Sequence, residues 1–207
     1  MRSDSYHPSP LNYTGGKYRL LPQIIPLLPV SSCFIDMFAG SCTVGLNMDS
    51  GDIMFNDANE RVISLMEYLA DHDPEEVMGM VDDWIGRIGL SDTYHHSYAY
   101  YHTDSSRGLS AYNKMPYSIL KDEYYRNPSD VLFYMLIIFG FNNQIRFNAN
   151  GRFNLPAGKR DYNASMRGKL IRYHDRICTL NTRFTHEHFT DIPIADTHMG
   201  TCLSFAP

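Results

Sequence analysis

The stretch Cys33-Phe34-Ile35-Asp36-Met37-Phe38-Ala39-Gly40-Ser41 is an apolar run that ends on small residues. A buried strand that turns tightly toward a helix has this form: both faces need cover, and the small residues let the chain reverse. Thr43 to Met48 is expected to begin that helix. Ile53 to Phe55 repeats the pattern as a second buried strand closing at Asn56 and Asp57, and Glu60 to Ala70 has helical spacing at Val62, Leu65, Met66 and Leu69. Strand, helix, strand, helix in that order predicts a parallel α/β sheet.

Upstream, Tyr6 to Lys17 is rich in Pro, Asn, Gly and Tyr and reads as an ordered loop, with a short helix expected in Tyr18 to Leu28. Downstream, Val77, Val81, Trp84, Ile85 and Ile88 fall on one face of a helix that starts at Pro74, a core-packing pattern. Tyr94 to Tyr101 has no clear period and reads as loop or loosely packed helix. Pro128 to Gly140 reads as a helix, buried because its apolar run is about half of the roughly 20 residues needed to cross a membrane. Phe141 to Lys159 then alternates polar and aromatic residues around Asn150-Gly151, a hairpin signal. Arg167 to Thr182 is expected to be an amphipathic, basic helix.

A hydrophobic content of 43% over 207 residues is ordinary for a globular chain. Met1 to Pro10 is polar and proline-broken, unlike an export signal, and a cytoplasmic location is expected. Cys33, Cys42, Cys178 and Cys202 lie far apart, and neither the pair His95 and His96 nor the pair His186 and His188 has a cysteine or carboxylate set at ligand spacing, so no metal is expected. No membrane association and a monomer are expected. The net charge of -5 hides a local excess. Arg146, Arg152, Lys159, Arg160, Arg167, Lys169, Arg172 and Arg176 face only Asp161 and Asp175 in their stretch, which suits a nucleic-acid partner.

Gly40 at a strand end lets the backbone approach a bound cofactor, and Asp57 after the next strand can accept hydrogen bonds from ribose hydroxyls. Together they suggest a nucleoside-bearing cofactor. The absence of G-x-G-x-x-G argues against a dinucleotide whose pyrophosphate must be cradled. Two further pieces stand out: Leu11-Asn12-Tyr13-Thr14-Gly15-Gly16-Lys17, and the arginine- and asparagine-rich run from Arg146 through Asn148, Gly151, Arg152, Asn154, Pro156 and Lys159 to Arg160.

Taken in order, these four pieces resemble the Dam-type DNA adenine N6-methyltransferases, including phage and mobile-element versions, over nearly all of Leu11 to Asp191. The resemblance implies a Rossmann-like methyltransferase core with a helical and β-hairpin DNA-recognition subdomain. It implies methyl transfer from S-adenosylmethionine to adenine in double-stranded DNA, at GATC. Residues 1–70 would form the cofactor-binding part, 71–185 the DNA-recognition region and 186–207 a return toward the core.

Tyr13 and Lys17 match family residues that contact S-adenosylmethionine, Asp57 the ribose-holding carboxylate, Phe38 the aromatic beside the cofactor, and Gly40 its turn glycine. Cys42 departs from the commoner glycine and is expected to weaken cofactor binding. Arg146 and Asn148 match residues that read base edges in the major groove. Phe141, Gln144, Pro156 and Arg160 lie where family members make further base or backbone contacts, and Arg152 and Lys159 suit phosphates.

The family's catalytic Asp-Pro-Pro-Tyr has no match here, since no two prolines are adjacent. No catalytic residue is therefore assigned. The resemblance implies a chain cut short near that motif, its α/β core incomplete toward the C-terminus with an exposed sheet edge. A second reading is a non-catalytic DNA-binding remnant of such an enzyme. A third, a small-molecule methyltransferase, has no use for a basic hairpin.

Overall fold

The two apolar runs form neighbouring parallel strands, β1 (Ser31–Asp36) and β2 (Ser50–Asn56), with Phe34 opposite Ile53 and Asp36 opposite Phe55. Both runs are near-continuous in apolar residues because a parallel strand inside a sheet is covered on both faces. Two further strands, β3 (Asn181–Thr185) and β4 (Thr201–Ser204), complete an all-parallel sheet of order β3-β2-β1-β4. The computed structural model describes residues 6–12 and 15–192 and the backbone of 201–204. It divides into two units, one from the described parts of 1–10, 15–71 and 169–207, the other from those of 11–14 and 72–168.

In the first unit, Phe34 and Phe55 are fully buried, and Phe55 stacks on Phe184 of β3 with ring centroids 5.3 Å apart. Helix α2 (Glu60–Asp71) follows β2 and buries Val62, Ile63, Leu65, Met66 and Leu69, the expected spacing. A short helix, α1 (Leu21–Ile24), sits between two 3-10 turns in the expected place. The helix expected from Thr43 is instead one 3-10 turn, Gly45–Asn47. The segment is tied at too many points to propagate: Asp36 Oδ2 accepts the Gly45 N–H at 3.0 Å, and Asn47 Nδ2 donates to the Thr43 and His7 carbonyls.

The second unit is helical. Helix α3 (Pro74–Ile88) starts where Asp73 accepts the Glu75 N–H and stops at left-handed Gly89. It buries Val77, Val81 and Ile85 as expected, while Trp84 stays partly exposed and carries the Arg87 guanidinium 4.2 Å from its ring centroid. Helix α4 (Lys114–Arg126) had no expectation attached, and it buries Tyr117, Leu120 and Tyr124. Helix α5 (Asp130–Phe139), capped by Ser129, buries every residue from Val131 to Phe139.

Helix α6 (Ala164–Ile177) crosses the division between the units. It begins earlier than Arg167, because Asn163 Oδ1 accepts the Ser165 and Met166 N–H groups. It also ends before Thr182, since Asn181-Thr182-Arg183-Phe184-Thr185 pairs with β2 as a strand. Among the described residues no helix is long and apolar enough to cross a membrane.

Candidate cofactor turn and nucleic-acid interface

At the carboxyl ends of β1 and β2 two carboxylates hold the intervening turn. Asp57 Oδ2 accepts the Gly40 N–H at 2.8 Å while Oδ1 accepts the Asn59 N–H at 2.9 Å, so one side chain joins the turn after β1 to the start of α2. Gly40 has φ +49, which costs a glycine little. Asp36 is 2% exposed, and burial pushes its carboxyl up to about 6, against the pull of the Gly45 N–H and with a further upward push from Asp57. A carboxylate offers about four lone-pair sites, so Asp57, with two taken by backbone N–H groups, keeps acceptor capacity for a ligand hydroxyl.

Cys42 occupies the left-handed region at φ +59, where the glycine expected from the resemblance would be unstrained. Its thiol is fully buried, and burial, with Asp36 and Asp57, holds it well above the usual thiol range.

Phe38 is half-buried, its ring centroid 5.7 Å from that of Phe189. Phe189 is 43% exposed and has no match among the residues the resemblance implies for the cofactor. Asn56 closes β2. It is buried with its amide fully used: Nδ2 donates to the Met37 and Glu187 carbonyls, and Oδ1 accepts from Thr185 Oγ1 and the Glu187 N–H. It thereby ties the ends of β1, β2 and β3. Lys17 is partly buried at the start of the 3-10 turn Tyr18–Leu20, and Tyr13 lies outside the described residues.

In the second unit the chain leaves α5 and folds back on itself. Gly140 bridges Ala157 and Phe147 bridges Phe153, both antiparallel, with Asn148 N donating to Arg152 O at 2.8 Å. This is the expected hairpin, held by two bridges rather than continuous strands. Asn142 and Asn143 turn left-handed at its base, and Pro156 lacks an N–H to donate. Gly158 is required there, since a Cβ would lie 2.5 Å from Gly140 O. The Phe147 ring packs edge-on to the buried Phe153, and Phe153 N–H donates to Tyr125 Oη of α4.

The hairpin gathers Phe141, Gln144, Arg146, Asn148, Arg152 and Pro156, all exposed except the half-buried Gln144. Arg146 Nε donates to Asn154 Oδ1 at 2.8 Å, and the Arg152 guanidinium sits 4.7 Å from the Tyr125 ring centroid. Just beyond, Lys159 donates to Ser106 O and Arg160 to Tyr98 Oη. None of these four cations makes an ion pair with a described residue. Asn148 spends its Oδ1 on the turn, accepting the Asn150 and Arg152 N–H groups at 2.9 Å.

The basic stretch is narrower than its charge count. Arg167 is 7% exposed, forms a two-pronged pair with Asp82, and lies between the Tyr94 and Tyr162 rings at 4.3 and 4.7 Å. Arg176 donates to the Leu46 and Met48 carbonyls. These cations hold the fold, whereas the four of the hairpin region make no ion pair with a described residue.

Residues 13–197 match the family described as D12 class N6 adenine-specific DNA methyltransferase. The chain belongs to this family. It is 31% identical to the modification methylase StsI of Streptococcus sanguinis, over 92% of this chain and 27% of that protein. The type II methyltransferase M.FokI of Planomicrobium okeanokoites is also 31% identical, over 91% of this chain and 27% of that protein. The DNA adenine methylase of Escherichia coli (strain K12) is 28% identical, over 72% of this chain and 47% of that protein. This D12-class chain thus spans about a quarter of the first two relatives and about half of the third. The family is described by its action on adenine in DNA, and the first two relatives are named a modification methylase and a type II methyltransferase, which leaves the small-molecule reading without support.

Proposed function

We propose that this chain acts in adenine N6 methylation of duplex DNA with S-adenosylmethionine as donor. The observation that carries the reading is the antiparallel hairpin, whose exposed cations make no ion pair with a described residue, and a hairpin of this kind is a shape the major groove admits. Bound S-adenosylmethionine supplies an electrophilic methyl group on a sulfonium. In a Rossmann-like core, ligands lie outside the carboxyl ends of the strands, where the Gly40 turn and Asp57 stand. Asp57 would accept the ribose hydroxyls on its free lone pairs, Gly40 would let the backbone approach, and Phe38 would flank the cofactor, with Tyr13 and Lys17 completing the site.

On the DNA side, Arg146 would read a guanine edge through two parallel N–H groups and Arg152, Lys159 and Arg160 would meet phosphates. Phe141, Gln144 and Pro156 would add base or backbone contacts. Because its Oδ1 is committed to the turn, Asn148 would read as a donor, through Nδ2 to a guanine or thymine acceptor, rather than as the two-pronged adenine reader its type suggests. GATC is the proposed target, by resemblance.

The test is incubation of the chain with duplex DNA and methyl-labelled S-adenosylmethionine, followed by digestion to nucleosides. Label in N6-methyladenine is expected. Label in no nucleoside, with both ligands bound, would refute methylation by this chain.

A further inference from the structure

We infer that Asn154 is a positioning residue that aims the Arg146 guanidinium at a base edge without neutralising its charge, an inference that rests on the base-reading role proposed for Arg146. The two residues face each other across the hairpin and are joined twice. Asn154 N–H donates to Arg146 O at 3.1 Å, and Arg146 Nε–H donates to Asn154 Oδ1 at 2.8 Å. Arginine has no acceptor, so the amide oxygen must be the atom that faces it. With Nε held, the terminal NH1 and NH2 groups remain as the pair of parallel donors that guanine O6 and N7 require.

Both side chains are exposed, so this hydrogen bond adds little to folding. Hairpin stability comes instead from the Phe147–Phe153 contact and the backbone bridges. What the bond supplies is order in a long side chain that would otherwise lose its rotamer freedom on binding. The choice of an amide is itself informative. A carboxylate would hold the guanidinium in the same direction but cancel the charge that phosphate attraction needs, and Arg167 with its Asp82 partner is that arrangement in this same unit.

The experiment selects bound sequences from a duplex pool with a randomised centre, using the 207-residue chain and its R146A, N154A and N154D variants, with a fixed duplex titrated at two salt concentrations. R146A should abolish preference at one base-pair position. N154A should weaken preference at that same position roughly 3- to 10-fold, by loss of pre-orientation, while binding unselected duplexes almost as tightly. N154D should keep the preference yet bind every duplex more weakly, because the added carboxylate offsets the Arg146 charge and repels the DNA backbone. The Arg146 Nε–H resonance of the free protein should move in N154A.

Full preference in N154A where R146A has lost it would overturn the positioning role alone. Unchanged preference in both would overturn the base-reading role and this inference with it.

Discussion

Replacing Asp36 by asparagine should change how stability depends on pH more than it changes stability at any one pH. The Asp36 carboxyl is raised from 3.8 to about 6, chiefly by burial. A shift of about 2 units corresponds to about 3 kcal/mol. Because the folded-state value is the higher one, the fold binds this proton more tightly than the unfolded chain. The stabilising contribution is fully present below about pH 4 and is lost as pH rises through about 6. The substituted amide would not titrate, and its oxygen could still accept the Gly45 N–H. It adds a buried NH₂ group that costs about 1 to 3 kcal/mol at all pH values if unpartnered, which sets the offset but not the slope.

Urea denaturation of wild type and Asp36→Asn between pH 4 and 7.5, followed by circular dichroism, should show the variant gaining about 3 kcal/mol relative to wild type across that window. Parallel curves, within about 1 kcal/mol, would mean that Asp36 ionises without a desolvation penalty and that its burial is misread.

Asn56→Asp turns two buried donors into acceptors facing the Met37 and Glu187 carbonyls, and should cost roughly 2 to 4 kcal/mol in the same denaturation assay. Arg167→Ala leaves Asp82 unpaired, though 37% exposed, and opens a space between two tyrosine rings; a loss of about 1 to 3 kcal/mol is expected, read as a lowered urea midpoint. Arg152→Ala removes one cation from the hairpin and should reduce the slope of log affinity against log salt by about 1 in a gel-shift titration, equally for all sequences.

Elements with continuous apolar runs could be read directly from the sequence. β1, β2 and α5 are rich in buried apolar residues, and α2 and α3 carry a regular apolar face, so their patterns needed no tertiary context. Helix α4 escaped because its buried face is largely tyrosine, polar at the tip, with Tyr117 Oη satisfied by Leu136 O from the next helix. Strand β3 escaped because it is a sheet edge with only partial burial, and its polar residues mimic a helix tail.

The same logic applies to the candidate site. Gly40 and Asp57 could be paired from their places at two strand ends, and the structure joins them by a hydrogen bond. Arg167 looked like a surface cation until folding brought Asp82 to it from 85 residues away. The Arg146–Asn154 bond and the use of Asn148 Oδ1 depend on hairpin register, which composition does not encode.

Equilibrium dialysis with labelled S-adenosylmethionine tests most directly the proposal that Asp57 and the Gly40 turn hold the methyl donor. Saturable one-to-one binding that disappears in Asp57→Ala, with the variant still folded, is the predicted result. Binding that does not saturate, or that survives the substitution unchanged, would contradict it.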